Sequence, residues 1–300
     1  MPYNLAERNR VIENPKLTIA LPARNESANL EGLLPRLRLL CPEAEILVVD
    51  DGSTDDTAAV CARHNIQRLS HPYSMGNGAA IKTGARQAQG DILIFLDADG
   101  QHDPADIPRL LARLTEGYDM VVGARDSRSQ ASLGRNLANR IYNRLASWMT
   151  DHRIADLTSG FRAVRTEKFR EFLYLLPNGF SYPTTITMAF FRAGYPVAYV
   201  PIQAGRRLGK SHIKPLQDGV RFLLIIFKIG SLYSPLKLFL PISLTFFTIG
   251  FGFYLYTFIT MHRFTNMSAL LLTTSVLIFL IGLVSEQITA LMYKDSGDLD

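Results

Sequence analysis

Cysteine is scarce in this sequence, and no long apolar run lies near its N-terminus. The 300 residues include two cysteines, Cys41 and Cys61, which form no Cys-x-x-Cys or Cys/His cluster. Their scarcity excludes a disulfide scaffold, and their positions indicate neither a zinc site nor a redox pair. The first apolar run, Leu17 to Pro22, is too short for the core of a secretory signal peptide. We therefore expect the N-terminal part of the chain to stay in the cytoplasm.

Charged residues are few for a wholly soluble enzyme. They make up 20% of the chain against 47% hydrophobic residues, and the mean hydropathy is +0.07. That hydropathy is far too low for a transporter with many membrane spans, so we expect most of the chain to fold in water. The composition also excludes the disordered and collagen-like classes.

Positive charge is concentrated in one stretch of the chain. Residues 206–237 hold seven basic residues and one acidic residue, Asp218, so the net charge of this stretch is +6. The net charge of the whole chain is +5, so the residues outside the stretch sum to −1. These basic residues stand directly before the apolar C-terminal segments. Positive charge at such a position meets anionic lipid headgroups and favours the cytoplasmic side. The pattern predicts a membrane-surface patch and no nucleic-acid partner.

Two apolar segments, Leu236 to Thr260 and Ala269 to Tyr293, lie near the end of the sequence. A helix of either length spans roughly 37 Å, enough to cross a hydrocarbon core of about 30 Å with some tilt. The short link between the segments makes a hairpin, whose two ends face the same side of the membrane. Lys237 and Lys294 mark that side as cytoplasmic. We therefore predict an integral membrane protein with its large domain in the cytoplasm.

Before this tail, short β-rich runs alternate with segments of helical apolar spacing. The runs typical of buried strands are Leu17–Leu21, Ile46–Val49, Ile92–Leu96 and Met120–Val122. The helical segments are Ala28–Leu40, Asp55–His64, Ala79–Gln89 and Asp106–Glu116. The alternation predicts an α/β fold with a largely parallel sheet. In such sheets ligands bind beyond the carboxyl ends of the strands.

Polar and mostly acidic residues follow three of these strands, at Pro22–Glu26, Asp50–Asp56 and Asp97–Asp103. A carboxylate-rich edge repels an anionic substrate unless a divalent cation intervenes. Oxygen ligands of this kind suit Mg²⁺ or Mn²⁺ bound partly through substrate phosphates. Asp97 and Asp99 alternate along a strand end, so both carboxylates lie on one face, where one can reach a nucleoside and the other the metal. The pattern predicts a metal-bound diphosphate substrate.

Five segments taken together and in order resemble a known family. They are LPARNE, VVDDGSTDDT, DADGQHDP, VVGAR and TSGFR. They resemble the family 2 inverting glycosyltransferases of GT-A fold, specifically the polyprenyl-phosphate hexose synthases related to dolichol-phosphate mannose synthase. The resemblance covers roughly Leu17 to Lys228. The apolar tail is similar to the membrane hairpin of bacterial polyprenyl-phosphate glucosyltransferases, so the implied fold is a Rossmann-like, mostly parallel GT-A sheet plus a transmembrane hairpin.

The resemblance implies a role for each matching residue. The residues implied to line the nucleotide-sugar pocket are Pro22, Glu26, Asp51, Asp97, Ala98, Ser159 and Gly160. The residues implied to hold Mg²⁺ or Mn²⁺ are Asp99 and Gln101. The implied catalytic residues are Asp156, Arg125, Arg135 and Arg206. The residues implied to contact the acceptor phosphate are Arg135, Arg206, Lys210 and His212.

Two positions depart from the family pattern. Arg24 stands where a tyrosine is common, which removes an expected stacking partner for the nucleobase. His212 stands where a lysine is common, which removes a permanent positive charge unless Lys210 or Lys214 replaces it.

The implied activity is the transfer of one hexose, from GDP-mannose or UDP-glucose, to a polyprenyl phosphate with inversion. One alternative is a processive polysaccharide synthase, but that group typically carries Gln-x-x-Arg-Trp and more spans, and the segment from Gln203 to Arg207 lacks the tryptophan. The other alternative is a non-catalytic, membrane-anchored binding protein. The expected partners are a nucleotide sugar, a polyprenyl phosphate, the membrane, and a second copy of the chain through the hairpin.

The sequence also predicts domain boundaries. An N-terminal extension, 1–15, precedes a GT-A domain, 16–205. A basic acceptor loop and an interfacial helix follow at 206–235. Two transmembrane helices, 236–293, and a cytoplasmic tail, 294–300, complete the predicted organisation.

Some residues of chemical interest have a simpler interpretation as packing. We expect the glycines between Gly76 and Gly84 to allow close packing, ahead of a phosphate cradle. Glu286 in the second apolar segment is expected to make a helix or subunit contact, ahead of binding a lipid phosphate. The apolar residues of 132–150, including Ile141, Tyr142 and Trp148, are expected to pack in the core.

Overall fold

The computed structural model describes residues 15–125, 133–179, 182–203, 205, 227, 230–231 and 233–294. The chain divides into two compact units, Met1–His212 and Ile213–Asp300. Arg206, Lys210 and His212 lie outside the described residues, as does most of the predicted interfacial helix. Arg135 is placed by its backbone alone, within a helix.

The first unit is built on a seven-stranded sheet in the order β3-β2-β1-β4-β6-β5-β7. The strands are β1 (Leu17–Ala23), β2 (Glu45–Asp50), β3 (Gln67–Ser70), β4 (Ile92–Phe95), β5 (Met120–Arg125), β6 (Arg162–Arg165) and β7 (Val197–Ile202). All neighbours are parallel except β6, which runs antiparallel to both β4 and β5. The four predicted strands are confirmed, and the carboxyl ends of β2, β1 and β4 are side by side.

Helices connect these strands. They are α1 (Ser27–Leu40), α2 (Thr57–Arg63), α3 (Asn77–Gln87), α4 (Ile107–Thr115), α5 (Leu133–Thr150), α6 (Thr166–Arg170) and α7 (Tyr182–Arg192), with a 3₁₀ turn at Pro104–Asp106. The second unit holds α8 (Pro235–Met261) and α9 (Asn266–Lys294). The four predicted helices of the first unit are all present.

The core of the first unit covers both faces of the sheet. Val48 and Val49 are neighbours on β2, so their side chains point to opposite faces, and both are fully buried. On α1, four leucines at helical spacing face the sheet: Leu30, Leu33, Leu34 and Leu37. Burial on both sides is typical of a parallel sheet in an α/β fold and holds the strand ends in fixed positions.

The core-packing prediction for α5 is confirmed only in part. Tyr142 is buried and its hydroxyl donates to Thr184 Oγ1 at 3.1 Å. Ile141 and Trp148 are 57% and 46% exposed, so the prediction that they pack in the core is wrong. The two residues are seven positions apart and therefore share one helix face, which is exposed.

The second unit is a hairpin of two apolar helices. Both are long and apolar enough to cross a membrane, and only 11% and 17% of their most apolar windows is buried, unlike core helices of a soluble domain. Close packing joins them, because a Cβ at Gly250 would lie 2.8 Å from Leu271 Cβ. Ser243 donates to the carbonyl of Ser275 at 2.9 Å. Glu286, on α9, accepts a hydrogen bond from the backbone N–H of Leu236, on α8, at 3.2 Å. The contact predicted for Glu286 is therefore one between the two helices.

Candidate active site

The loops that follow β1 and β2 are tied together by Asn25. Its backbone is left-handed, with φ of 55°, and its Oδ1 accepts from the backbone N–H of Thr54 at 2.8 Å. Its own N–H donates to Ser53 Oγ at 2.9 Å. Beside it, Glu26 is half-buried and accepts from the side-chain amide of Asn29 at 2.6 Å. Two of the predicted site segments therefore form one fixed surface.

Asp55 has a structural role in this surface. Its carboxylate accepts from the backbone N–H of Ser27 at 3.0 Å and from the hydroxyl of Thr57 at 2.6 Å. Burial alone would raise the pKa of Asp55, but these hydrogen bonds lower it to about 2. The carboxylate is thus ionised at neutral pH and holds the start of α1 against the start of α2.

Asp51 accepts four hydrogen bonds from the segment that follows β3. It accepts from His71 Nδ1 at 2.7 Å, Ser74 Oγ at 2.8 Å, and the backbone N–H groups of Met75 and Gly76 at 2.8 and 2.9 Å. Burial raises the pKa of Asp51, but these four donors outweigh it and the pKa is lowered. The neighbouring Asp50 accepts from Arg68 at 2.7 Å. No sequence motif indicates that His71 and Ser74 join this site.

The glycine-rich start of α3 is closely packed, as predicted, and offers no cradle for a phosphate. The N–H of Gly76 donates to Asp51, and those of Gly78 and Ala79 donate to the carbonyls of Gly179 and Asn178 at 3.2 and 2.9 Å. A Cβ at Gly78 would lie 2.0 Å from the carbonyl oxygen of Pro177, so only glycine fits. These donors are already used within the protein.

The Asp-x-Asp segment follows β4 at the same edge. Asp97 lies against the turn at Gly160, where a Cβ would stand 2.6 Å from Asp97 Oδ2, and Ala98 is buried. Asp99 Oδ1 accepts from the backbone N–H of Gln101 at 3.1 Å, across the left-handed Gly100. Asp99 and Gln101 therefore belong to one tight turn, which follows the carboxyl end of β4.

His102 lies beneath this turn. It is buried, its ring stacks on Phe161 with 5.3 Å between centroids, and its Nδ1 is 3.8 Å from Asp97 Oδ2. Burial lowers the pKa of His102 to about 4, so the imidazole is neutral at pH 7. His102 therefore supports the site as a neutral ring and contributes no positive charge.

Arg125 and Asp156 form a buried ion pair beside the Asp-x-Asp segment. Arg125 Nε donates to Asp156 Oδ2 at 2.8 Å, and its NH2 group donates to Oδ1 at 3.1 Å and to Thr158 Oγ1 at 2.6 Å. Burial raises the pKa of Asp156, but the guanidinium outweighs it and the pKa is lowered. The two residues are 31 positions apart in the sequence and meet only in the folded chain. Such a bidentate pair fixes the planes of both groups.

The turn Ser159–Arg162 closes this end of the site. Ser159 is fully buried, and Arg162, also fully buried, donates to the carbonyl of Ser159 at 2.5 Å and lies over the ring of Tyr182 at 5.5 Å. Arg162 thereby fixes the backbone at Gly160, which contacts Asp97. The family pattern had not indicated this supporting role.

The acidic groups fit a metal that is held partly by its substrate. Among the described residues, no three His, Cys, Asp or Glu side chains converge as a complete metal site. Asp99 supplies a carboxylate and Gln101 an amide oxygen, which are hard ligands. Mg²⁺ and Mn²⁺ sites of this kind are completed by water and substrate phosphates.

A comparison with known protein families identifies the first unit. The model described as glycosyl transferase family 2 matches residues 18–173, just over half of the chain. The chain belongs to glycosyl transferase family 2. A second model, described as GtrB C-terminal hairpin, matches residues 234–291. This second match covers both α8 and α9, the two helices that are long and apolar enough to cross a membrane.

Individual proteins of known name or structure are also similar to this chain. The undecaprenyl-phosphate 4-deoxy-4-formamido-L-arabinose transferase of Klebsiella pneumoniae subsp. pneumoniae is 36% identical over 160 residues, which are 50% of this chain and 49% of the relative. The chain thus spans about half the length of that relative. Glucosyl-3-phosphoglycerate synthase of Mycobacterium tuberculosis, solved with Mn²⁺, UDP and glucosyl-3-phosphoglycerate, superposes with a TM-score of 0.59 at 22% identity over 77% of this chain and 84% of that chain. The same synthase with Mn²⁺, UDP-glucose and phosphoglyceric acid gives 0.60 at 21% identity, with the same coverage. These likenesses establish the GT-A fold.

Proposed function

We propose that this family 2 glycosyltransferase transfers a single sugar from a nucleotide sugar to a polyprenyl phosphate, with inversion, at the cytoplasmic face of the membrane. The observation that carries the proposal is the convergence of Glu26, Asp51, Asp97 and Asp99 at one sheet edge, in a chain that also carries a membrane hairpin. A nucleotide sugar brings a diphosphate that needs such a metal-binding edge. A polyprenyl phosphate presents its headgroup at the membrane surface, where a hairpin holds the enzyme.

The proposed reaction makes modest demands on the protein. An oxygen of the acceptor phosphate attacks the anomeric carbon, the bond from that carbon to the diphosphate breaks, and the nucleoside diphosphate leaves with the electron pair. The acceptor is already an anion, so no strong general base is needed. The bound divalent metal would be held by Asp99 and Gln101 and would supply charge stabilisation for the diphosphate leaving group.

Arginines complete the proposed site. We assign Arg125 and Asp156 to the sugar end, because their ion pair lies beside Asp97 and the Ser159–Gly160 turn. Arg135, Arg206, Lys210 and His212 remain assigned to the acceptor phosphate on the basis of the family motifs alone. Positively charged groups of this kind stabilise both the entering and the leaving phosphate oxygens.

The donor is proposed to be GDP-mannose or UDP-glucose. The Klebsiella relative, by its name, transfers a formamido-arabinose to undecaprenyl phosphate, so the panel of donors to be tested includes a nucleotide-linked 4-amino-arabinose derivative. The M. tuberculosis synthase binds Mn²⁺ with UDP-glucose, which supports Mn²⁺ or Mg²⁺ as the metal here.

The test is transfer of label into lipid. Full-length protein in detergent is incubated with undecaprenyl phosphate, Mn²⁺ or Mg²⁺, and each labelled nucleotide sugar in turn, and the organic phase is counted. We expect one donor to label the lipid, and we expect EDTA to abolish the label. If no donor labels the lipid although nucleotide binds, the polyprenyl acceptor is wrong; if no nucleotide binds, the non-catalytic alternative replaces this proposal.

The scarcity of cysteine makes the membrane orientation directly testable. In a variant with Cys41→Ala and Cys61→Ala, we introduce either Asn266→Cys, exposed at the first residue of α9 and next to the link between α8 and α9, or Asp300→Cys in the tail. A membrane-impermeant maleimide should label Asn266→Cys in intact cells, because the link is predicted to face outward. Asp300→Cys should be labelled only after the membrane is permeabilised. The opposite pattern would place the glycosyltransferase domain on the outer side.

A further inference from the structure

The order of the strands bears on where the nucleobase of a bound donor lies along the sheet edge. This inference rests on the nucleotide-sugar donor proposed above. The proposed metal residue Asp99 follows β4, and Asp51 follows β2, with β1 between these strands. Neighbouring strands are about 4.8 Å apart, so the two edges are separated by roughly 10 Å. The sugar end is assigned to Arg125 and Asp156, and Arg125 ends β5, on the other side of β4. A nucleotide whose phosphates are held after β4 therefore extends its nucleobase toward the ends of β2 and β3.

Asp51 has little capacity left to bind a nucleobase there. An ionised carboxylate has about four acceptor positions on its two oxygens. Four protein donors, from His71, Ser74, Met75 and Gly76, already occupy the Asp51 carboxylate. The carboxylate instead holds the segment His71–Gly76, which we call the β3–α3 loop, in one conformation.

Further contacts hold the β3–α3 loop on the strand edge. His71 Nε2 is 2.9 Å from Thr83 Oγ1 on α3, and the His71 side chain is 8% exposed. Gly52 has φ of +70°, and a Cβ there would lie 2.8 Å from the backbone of Tyr73 and Ser74. The backbone of the β3–α3 loop is therefore in close contact with the turn Asp50–Gly52.

This fixed loop exposes two large apolar side chains. Tyr73 is 67% exposed and Met75 is 39% exposed. Exposed apolar side chains on a rigid loop bind a flat ligand without a large ordering cost. Arg24, on the neighbouring β1 loop, is also exposed and is not an aromatic residue, so it does not provide the ring that the family commonly places there.

We propose that Tyr73, supported by Met75, stacks on the nucleobase of the donor, and that Asp51 and His71 are positioning residues that hold the β3–α3 loop in place for this contact. An aromatic ring suits any nucleobase, because every base has a π face. A thioether beside the ring adds a favourable contact with an aromatic ligand. The assignment gives the base-binding role to Tyr73 in place of the residue at position 24.

Nucleotide binding tests this assignment. Full-length protein in detergent with Mn²⁺ is titrated with UDP, GDP and inorganic diphosphate by calorimetry. Tyr73→Ala should weaken the binding of the preferred nucleotide by about tenfold or more, as for loss of a base-stacking ring. It should leave the binding of inorganic diphosphate unchanged. Tyr73→Phe should retain wild-type affinity, because the ring remains.

The controls separate this inference from the proposed function. Tyr174→Ala removes another tyrosine, 57% exposed, and should not change the affinity for any of the three ligands. Equal nucleotide affinity in wild type and Tyr73→Ala would overturn the inference and leave the nucleotide-sugar proposal intact. An equal loss for nucleotide and inorganic diphosphate would also overturn it, since the effect would then not involve the base. If wild-type protein binds inorganic diphosphate but neither nucleotide, the donor proposal fails together with the inference.

Discussion

Asp99→Asn is expected to lower the rate of sugar transfer by about 10²- to 10³-fold, the usual loss when one group that stabilises developing charge is removed. Asparagine keeps the size of the side chain and its acceptor for the Gln101 N–H, but it removes a negative charge from the proposed metal site. The Mn²⁺ concentration that gives half-maximal rate should therefore rise as well. Both quantities are read from the lipid-labelling reaction across a Mn²⁺ titration.

Asp103→Asn is the matched control for this variant. Asp103 lies in the same segment, but its side chain is 52% exposed and pairs with Arg36, which is 56% exposed. Exposed pairs of this kind contribute little to stability, so the transfer rate and the Mn²⁺ dependence should stay within about twofold of wild type. If Asp99→Asn behaves like Asp103→Asn, then Asp99 does not hold the metal.

Arg125→Met is expected to destabilise the folded protein strongly. The Asp156 side chain is 6% exposed, and the variant would leave its carboxylate buried without its cation. Breaking a buried ion pair by removing one partner costs about 3–5 kcal/mol. The loss is measured as a fall in the thermal unfolding midpoint of the full chain in detergent. Arg36→Met, which breaks an exposed pair, should change the free energy of unfolding by less than about 1 kcal/mol.

A double variant separates stability from catalysis at this pair. Arg125→Met combined with Asp156→Asn removes both charges, while the amide oxygen of asparagine keeps an acceptor for the backbone N–H of Thr158. We expect it to recover most of the unfolding midpoint and none of the transfer activity. Recovery of activity along with stability would show that the pair is only structural.

The pH dependence of the Arg125–Asp156 pair has a definite sign. The pKa of Asp156 is lowered in the folded protein, so the unfolded chain binds the proton more readily. The stability from this group is therefore present in full above the ordinary aspartate pKa of about 3.9 and is lost as the pH falls below it. At neutral pH the ion pair is intact.

The central strands could be predicted from the sequence, and three others could not. β1, β2, β4 and β5 are short, nearly continuous apolar runs, and these runs identify them as buried strands. β3 is an edge strand with the polar sequence QRLS, so it has no apolar run to mark it. β6 begins with Arg162, whose full burial depends on partners from α7 and the Ser159 turn. β7 contains Pro201, which weakens the strand pattern.

The sheet edge that carries the candidate site could be predicted from the sequence, but the partners of its residues could not. The rule that ligands bind at the carboxyl ends of parallel strands placed Asp51, Asp97 and Asp99 at one edge. No local pattern pairs Arg125 with Asp156, because the two meet only after α5 returns the chain to the sheet. Likewise, His71 carries no motif, and its link to Asp51 depends on the tertiary position of the β3–α3 loop.

The most direct test of the account is to identify the two products of a single reaction. With the donor that labels lipid, the soluble product is separated by chromatography and the lipid product is weighed by mass spectrometry. We predict one equivalent of nucleoside diphosphate for each polyprenyl phosphate that gains one sugar. Release of nucleoside monophosphate would show transfer of a phosphosugar, and lipids carrying several sugars would show processive synthesis; either result would contradict the account.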